Sequence, residues 1–141
     1  MAENLPDPAT RFGALVRDRL ATDIVIWLTT VGADGTPQPN PVWFVVDDDG
    51  FLVYNQADAH RLTHIKHRPR VALNLNSPDG SGVVVFAGSA ARADDVPPCH
   101  EQPAYVEKYL PRMERISGTA EKFAADYPVP MRIKILSTRG F

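Results

Sequence analysis

Apolar positions along this chain follow two rhythms. Over 8–20, Phe12, Leu15, Val16 and Leu20 fall at helical spacing with one apolar face. The stretch TDIVIWLTTV at 22–31 is β-branched and apolar, which predicts a strand. GADGTP at 32–37 is a turn of the Asp-Gly kind, NPVWFVVD at 40–47 a second strand, DDDG at 47–50 a second turn and FLVYNQ at 51–56 a third strand. The first half therefore reads as a meander. A short helix is expected over 58–67, with Asp58 as its cap and Leu62 and Ile65 as its apolar contact. Arg68-Pro69 ends it, because the residue before proline is pushed out of helical geometry.

The second half repeats both rhythms. Val71, Leu73 and Leu75 alternate with Ala72, Asn74 and Asn76, so 70–76 is a half-buried strand. A longer strand at 83–95 carries Gly88 as a bulge or bend. AYVEKYLPRMERI at 104–116 is helical, with Pro111 expected to kink or split it, and a further short helix is expected over 118–127. Met131, Ile133 and Ile135 alternate with Arg132, Lys134 and Leu136 in a last strand at 131–138. Six strands joined by tight turns imply antiparallel pairing. A flat sheet of such short strands would leave both edges bare, and a closed or partly closed barrel removes that problem. The expected fold is mainly β with flanking helices, a single domain over 1–141.

Composition narrows the function. The 141 residues are 44% apolar and 23% charged, ordinary for a soluble globular chain. A formal charge of −2 argues against a dedicated nucleic-acid binder. Cys99 is the one cysteine, so no internal disulfide can form, which fits a reducing compartment. No signal peptide is expected in MAENLPDPATRFGALVRDRL, and no apolar run approaches the roughly 20 residues needed to span a bilayer. The expectation is a cytoplasmic protein with no membrane or nucleic-acid partner.

Against this acidic background one segment stands out. HRLTHIKHRPR, 60–70, holds Arg61, Lys66, Arg68 and Arg70 with His60, His64 and His67. On a helical wheel Leu62 and Ile65 share one side and the three histidines the opposite, exposed side. Arg61 in a first turn has the wrong sign for a helix start, and a bound phosphate would compensate it. Other readings stay open. The histidines at i, i+4 and i+7 could converge on a metal ion, although cations crowd them. The segment could also be a solvated face. Elsewhere there is no Gly-x-Ser-x-Gly elbow, no Gly-x-Gly-x-x-Gly fingerprint and no Walker loop. Asp47, Asp48 and Asp49 are explained by a turn, and Cys99 is expected to be inert.

The order of these pieces resembles the split β-barrel family of flavin and deazaflavin reductases, relatives of pyridoxamine 5′-phosphate oxidase. The likeness rests on the Asp-Gly hairpin ending in PVWF, on LVYNQ leading into a basic helix, and on the helix end HRPRVALNL. It covers roughly residues 12–90, and the size and the PVWF strand resemble the branch that uses coenzyme F420, a 5-deazaflavin. The resemblance implies a six-stranded antiparallel split barrel that forms a homodimer with the cofactor in a groove between subunits. Arg61 stands where a phosphate-binding Lys or Arg is expected, with His60 or Lys66 able to complete the grip. Tyr54, Gln56 and Ala57 would line the approach, and Asn40, Pro41, Val42 and Trp43 would border the ring. For Trp43 plain strand packing is the other reading. Thr63 replaces a second Arg or Lys found in many relatives, and His64 replaces an Asn.

What the resemblance implies chemically is hydride transfer between reduced deazaflavin C5 and an electron-poor small organic substrate. The protein positions the cofactor and excludes water. The accompanying proton would come from water, or from Tyr54 if it faces the substrate. FMN on the same barrel is the alternative cofactor, and a non-catalytic carrier of a cofactor or haem-type ligand is the alternative role.

Overall fold

The structure, a computed structural model, describes residues 4–141. Its elements are α1 (Arg11–Thr22), β1 (Val25–Val31), β2 (Pro37–Trp43), β3 (Val45–Asp47), β4 (Gly50–Asn55), α2 (His60–His67), β5 (Arg70–Asn74), β6 (Val84–Arg92), a 3₁₀ turn at Cys99–Glu101, α3 (Pro103–Ser117), α4 (Ala120–Asp126) and β7 (Val129–Gly140). All strand pairings are antiparallel, in the order β2-β1-β5-β6-β7-β4-β3.

That order corrects two expectations. The run 40–47 is two strands rather than one, so the sheet has seven strands and not six. The first half is also no simple meander: β1–β2 and β3–β4 are separate hairpins at opposite ends of the sheet. Those two ends, β2 and β3, are nevertheless joined in the chain by Phe44 alone. A sheet whose outermost strands share one linking residue must curl until its ends meet, which makes this a half-closed barrel.

Phe44 breaks the strand because helix α3 satisfies its backbone. Its N–H donates to the Tyr109 hydroxyl at 2.8 Å, and its carbonyl accepts from Lys108 Nζ at 2.9 Å. The Tyr109 hydroxyl in turn lies 2.7 Å from the Ile24 carbonyl, just before β1. A buried backbone group must find a partner, and here side chains replace a neighbouring strand.

The core forms two layers. Inside the barrel, Ile26, Leu28, Val42, Phe44, Phe51, Val53, Leu73, Phe86, Met131 and Ile133 pack together, with Val16 and Leu20 of α1 closing one end. Outside it, Val45, Leu52, Tyr54, Cys99, Tyr105, Tyr109, Met113 and Phe123 pack between β4 and the helices α3 and α4. All six residues of β4 are buried because the strand is covered on both faces. The expected alternations hold: Val71, Leu73 and Leu75 are buried, as are Met131, Ile133 and Ile135. The β6–β7 register slips between Ala87 and Gly88, which is the bulge that Gly88 announced. A Cβ at Gly88 would lie 2.6 Å from Ile133 Cγ2, so the strands approach closely only because the residue is glycine.

Pro37, Pro39 and Pro41 occupy alternate positions on the outermost strand β2. The β1–β2 ladder stays intact because proline nitrogens, having no proton to give, face the open side. That side therefore lacks three donors, which blunts it against pairing with another chain.

The helices depart from expectation in detail. Helix α1 starts at Arg11 rather than 8, where Thr10 Oγ1 accepts from Gly13 N at 2.9 Å. Asp58 does not cap α2; Ala59 occupies that place and no side chain caps the helix. Helix α3 runs through Pro111 as a single element. Pro111 and Glu107, whose carbonyl loses its intrahelical donor, are both exposed, so water can replace the missing bond. Among the described residues no helix is long and apolar enough to cross a membrane.

Candidate functional site

Helix α2 packs against β1, and this sets which of its side chains enter the protein. His64 is not on the exposed face. Its Nδ1 lies 2.9 Å from Oγ1 of Thr30, a threonine only 1% exposed. His60 and His67 stay exposed, so the three histidines do not share one surface. Arg68 reaches back to the Val31 carbonyl at 2.8 Å and ties the helix end to β1.

Arg61 turns the other way, under the barrel wall. Its Nε donates to Asn55 Oδ1 at 2.6 Å, and Asn55 is fully buried at the end of β4. Among the described residues Arg61 makes no ion pair. Burial pushes its guanidinium below the usual arginine range, with Tyr127 acting in the opposite direction. A half-buried cation without a carboxylate partner leaves its charge uncompensated by the protein. The first turn of α2, which Arg61 occupies, also carries no acidic residue and no capping side chain.

The guanidinium lines a cavity of about 290 Å³ together with Pro41, Val42, Trp43, Tyr54, Gln56, Tyr105, Ile116, Phe123 and Tyr127. This is at the small end of the roughly 300–1,000 Å³ usual for ligand pockets. Of the ten residues expected at the site, the cavity gathers Pro41, Val42, Trp43, Tyr54, Gln56 and Arg61. Ala57 and Lys66 line a separate cavity of about 690 Å³ on the other flank of α2, with Thr63 and Arg92. Asn40 lies exposed on the outermost strand and His60 exposed at the start of α2.

Aromatic rings form the far wall. Trp43 stacks with Tyr109 at 4.6 Å and with Phe123 at 5.2 Å, and Phe123 stacks with Tyr127 at 4.5 Å. Tyr54 meets Tyr105 edge-on at 5.0 Å. Trp43 is thus largely a packing residue that borders the cavity, and stacks of this kind add about 0.5–1.5 kcal/mol each beyond burial. Tyr105, Ile116, Phe123 and Tyr127 escaped the sequence reading because they belong to α3, α4 and the turn after it, far along the chain. The i, i+4 pair Tyr105–Tyr109 was the one available signal that this helix presents an aromatic face.

Two candidate proton donors can be judged directly. Tyr54 donates its hydroxyl proton to the Pro97 carbonyl at 2.7 Å, and burial pushes it up to about 12. It is therefore not placed as an acid at neutral pH. The Cys99 thiol is buried and pushed up to about 11 by that burial, which leaves it unreactive. What remains is one anchored cation beside a flat aromatic wall. That arrangement can hold an anionic group attached to an apolar or ring-shaped body.

Known structures place this architecture. The haem storage protein HutZ of Vibrio cholerae superposes with a TM-score of 0.64 at 14% identity, over 92% of this chain and 94% of that one. A conserved hypothetical protein of Mycobacterium tuberculosis gives 0.69 at 19% identity, over 99% and 87%. A structure described as an F420 reductase gives 0.63 at 23% identity, over 87% and 94%. At these identities the likeness is one of fold. No curated protein matches the chain in sequence. Residues 12–129 match the family described as pyridoxamine 5′-phosphate oxidase, and the chain, half-barrel and all, belongs to that family.

Proposed function

We propose that the protein is an oxidoreductase that uses coenzyme F420, taking hydride from the reduced deazaflavin to an electron-poor small organic substrate. The observation that carries this reading is Arg61: a half-buried cation with a neutral hydrogen-bond partner, no carboxylate, and an aromatic cavity beside it. A phosphoryl group is the anion that such a fork of donors accepts best. The residues fit that group, since the uncapped start of α2 adds a favourable field at the same place.

The cavity is too small to enclose a whole deazaflavin coenzyme. It would house one end, and the remainder would lie along the protein surface, where a second subunit of a homodimer would complete the groove. Bound there, the coenzyme supplies the hydride from its C5. Arg61 would hold the phosphoryl end, Gln56 and Pro41 would border the entrance, and the Trp43–Phe123–Tyr127 wall would exclude water. The proton that follows hydride would come from solvent, because Tyr54 is committed to Pro97.

FMN is the alternative cofactor, and its single terminal phosphate could meet Arg61 in the same way. A carrier role is the second reading. It is favoured by a lining without carboxylate or imidazole, which binding alone does not need. Titration of the ligand-free protein with F420 and with FMN, read by absorption, separates the cofactors. Steady-state oxidation of reduced F420 with a panel of alkene and nitro acceptors separates enzyme from carrier. Tight binding without acceptor-dependent oxidation would end the enzymatic reading.

A further inference from the structure

We infer that Asn55 is the positioning residue of the anion site, presetting Arg61 before any ligand arrives. This rests on the reading of Arg61 as the anion-binding group. Asn55 is 0% exposed, and its amide is oriented by its surroundings. Nδ2 donates to the carbonyls of Val53 at 3.2 Å and Val129 at 3.0 Å. Turning the amide over would set its oxygen against those two carbonyls and its NH₂ against a guanidinium, so Oδ1 must face Arg61. That oxygen takes Arg61 Nε at 2.6 Å.

Two consequences give the contact its role. First, with Nε occupied, the two terminal nitrogens of the guanidinium are the donors left over, and they form the edge that meets two oxygens of one anion. Second, the partner is an amide rather than a carboxylate. A half-buried arginine held by Asp or Glu would be neutralised in place; held by Asn55, it keeps its full charge for the ligand. Asn55 is itself fixed to both β4 and β7, since Val129 opens β7. The geometry of the site is therefore tied to two paired strands of the sheet and not to the mobility of a surface side chain.

The test uses wild-type protein with Asn55→Ala, Arg61→Ala and Arg61→Lys. Lysine keeps the charge but carries its three donors on one tetrahedral nitrogen, so it cannot bond Asn55 and present a planar edge of two parallel donors. The expected result is at least about tenfold weaker F420 binding in Asn55→Ala, with Arg61→Lys nearly as weak as Arg61→Ala. In ligand-free wild type the Arg61 Nε–H should give a slowly exchanging ¹⁵N-correlated signal that Asn55→Ala loses. Folded Asn55→Ala that binds within about twofold of wild type, or Arg61→Lys that binds like wild type, overturns the inference. If Asn55→Ala does not fold, Arg61→Lys and the wild-type Nε–H signal decide the matter alone. Wild-type protein that binds neither F420 nor FMN sinks the reading of the site, while the ligand-free Nε–H signal still judges the positioning separately.

Discussion

The backbone N–H of Phe44 ends on the hydroxyl of Tyr109, 2.8 Å away and 65 residues further along the chain. This contact stands at the seam where the two ends of the sheet meet, and it makes helix α3 part of the barrel wall. Tyr109→Phe leaves the buried Phe44 N–H without its acceptor and the Ile24 carbonyl without its donor. Loss of stability by about 1–3 kcal/mol is expected, read as a lower urea midpoint with an unchanged slope. A midpoint equal to wild type would mean that water seals the seam.

Removing the Arg61 guanidinium tests the anion site. Arg61→Ala should weaken binding of F420, or of FMN if that is the cofactor, by at least about 1.5 kcal/mol, as for a lost charge-assisted hydrogen bond. The same substitution strips the buried Asn55 Oδ1 of its donor, so the ligand-free protein should also lose about 1–3 kcal/mol in a urea melt. Unchanged affinity in the titration places the anion elsewhere.

Lys108 gives the fold a dependence on pH. Burial pushes its ammonium down from the usual 10.5 to about 8, with Asp23 pulling weakly the other way. Between those two values the unfolded chain keeps a proton that the folded chain has released. Stability from this group therefore rises with pH across that window, and is level below about 8 and above about 10.5. Urea melts of wild type and Lys108→Met, compared at steps of pH, should show the difference moving in favour of wild type over this range. A constant difference would show that the amine titrates normally.

Gly50 sits at φ +128, and a Cβ there would come 2.1 Å from the Ile133 carbonyl oxygen. Both the left-handed backbone and the clash oppose a side chain. Gly50→Ala should lose at least about 2 kcal/mol in a thermal or urea melt, with the β3–β4 hairpin displaced from β7.

Much of this fold was legible because local pattern and final burial agree. The alternation over 70–76 needs only a sheet with one covered face, and Gly88 marks its bulge by composition alone. Phe44 was illegible because PVWFVVD is an unbroken β pattern; the break comes from Tyr109, which no local window contains. The wheel drawn for α2 failed at His64 for the same kind of reason. It assumed that only Leu62 and Ile65 seek cover, whereas Thr30 supplies a polar partner inside. At the site, Arg61 was found by its charge and its place after LVYNQ. Asn55 was passed over in that same motif because Tyr54 and Gln56 share the opposite strand face, and a buried amide has no signature in sequence.

The seven-stranded order has a bearing on how the protein comes to exist in a cell. Strand β7, the last element described, lies between β6 and β4, so the early hairpin β3–β4 has no lateral neighbour until β7 has been made. A nascent chain leaving the ribosome can complete β1, β2, β5 and β6 as a sheet, but β4 waits with its Phe51 and Val53 uncovered. Long-range pairing of this kind is slow to form. The keystone is laid last, and the arch cannot bear weight before then.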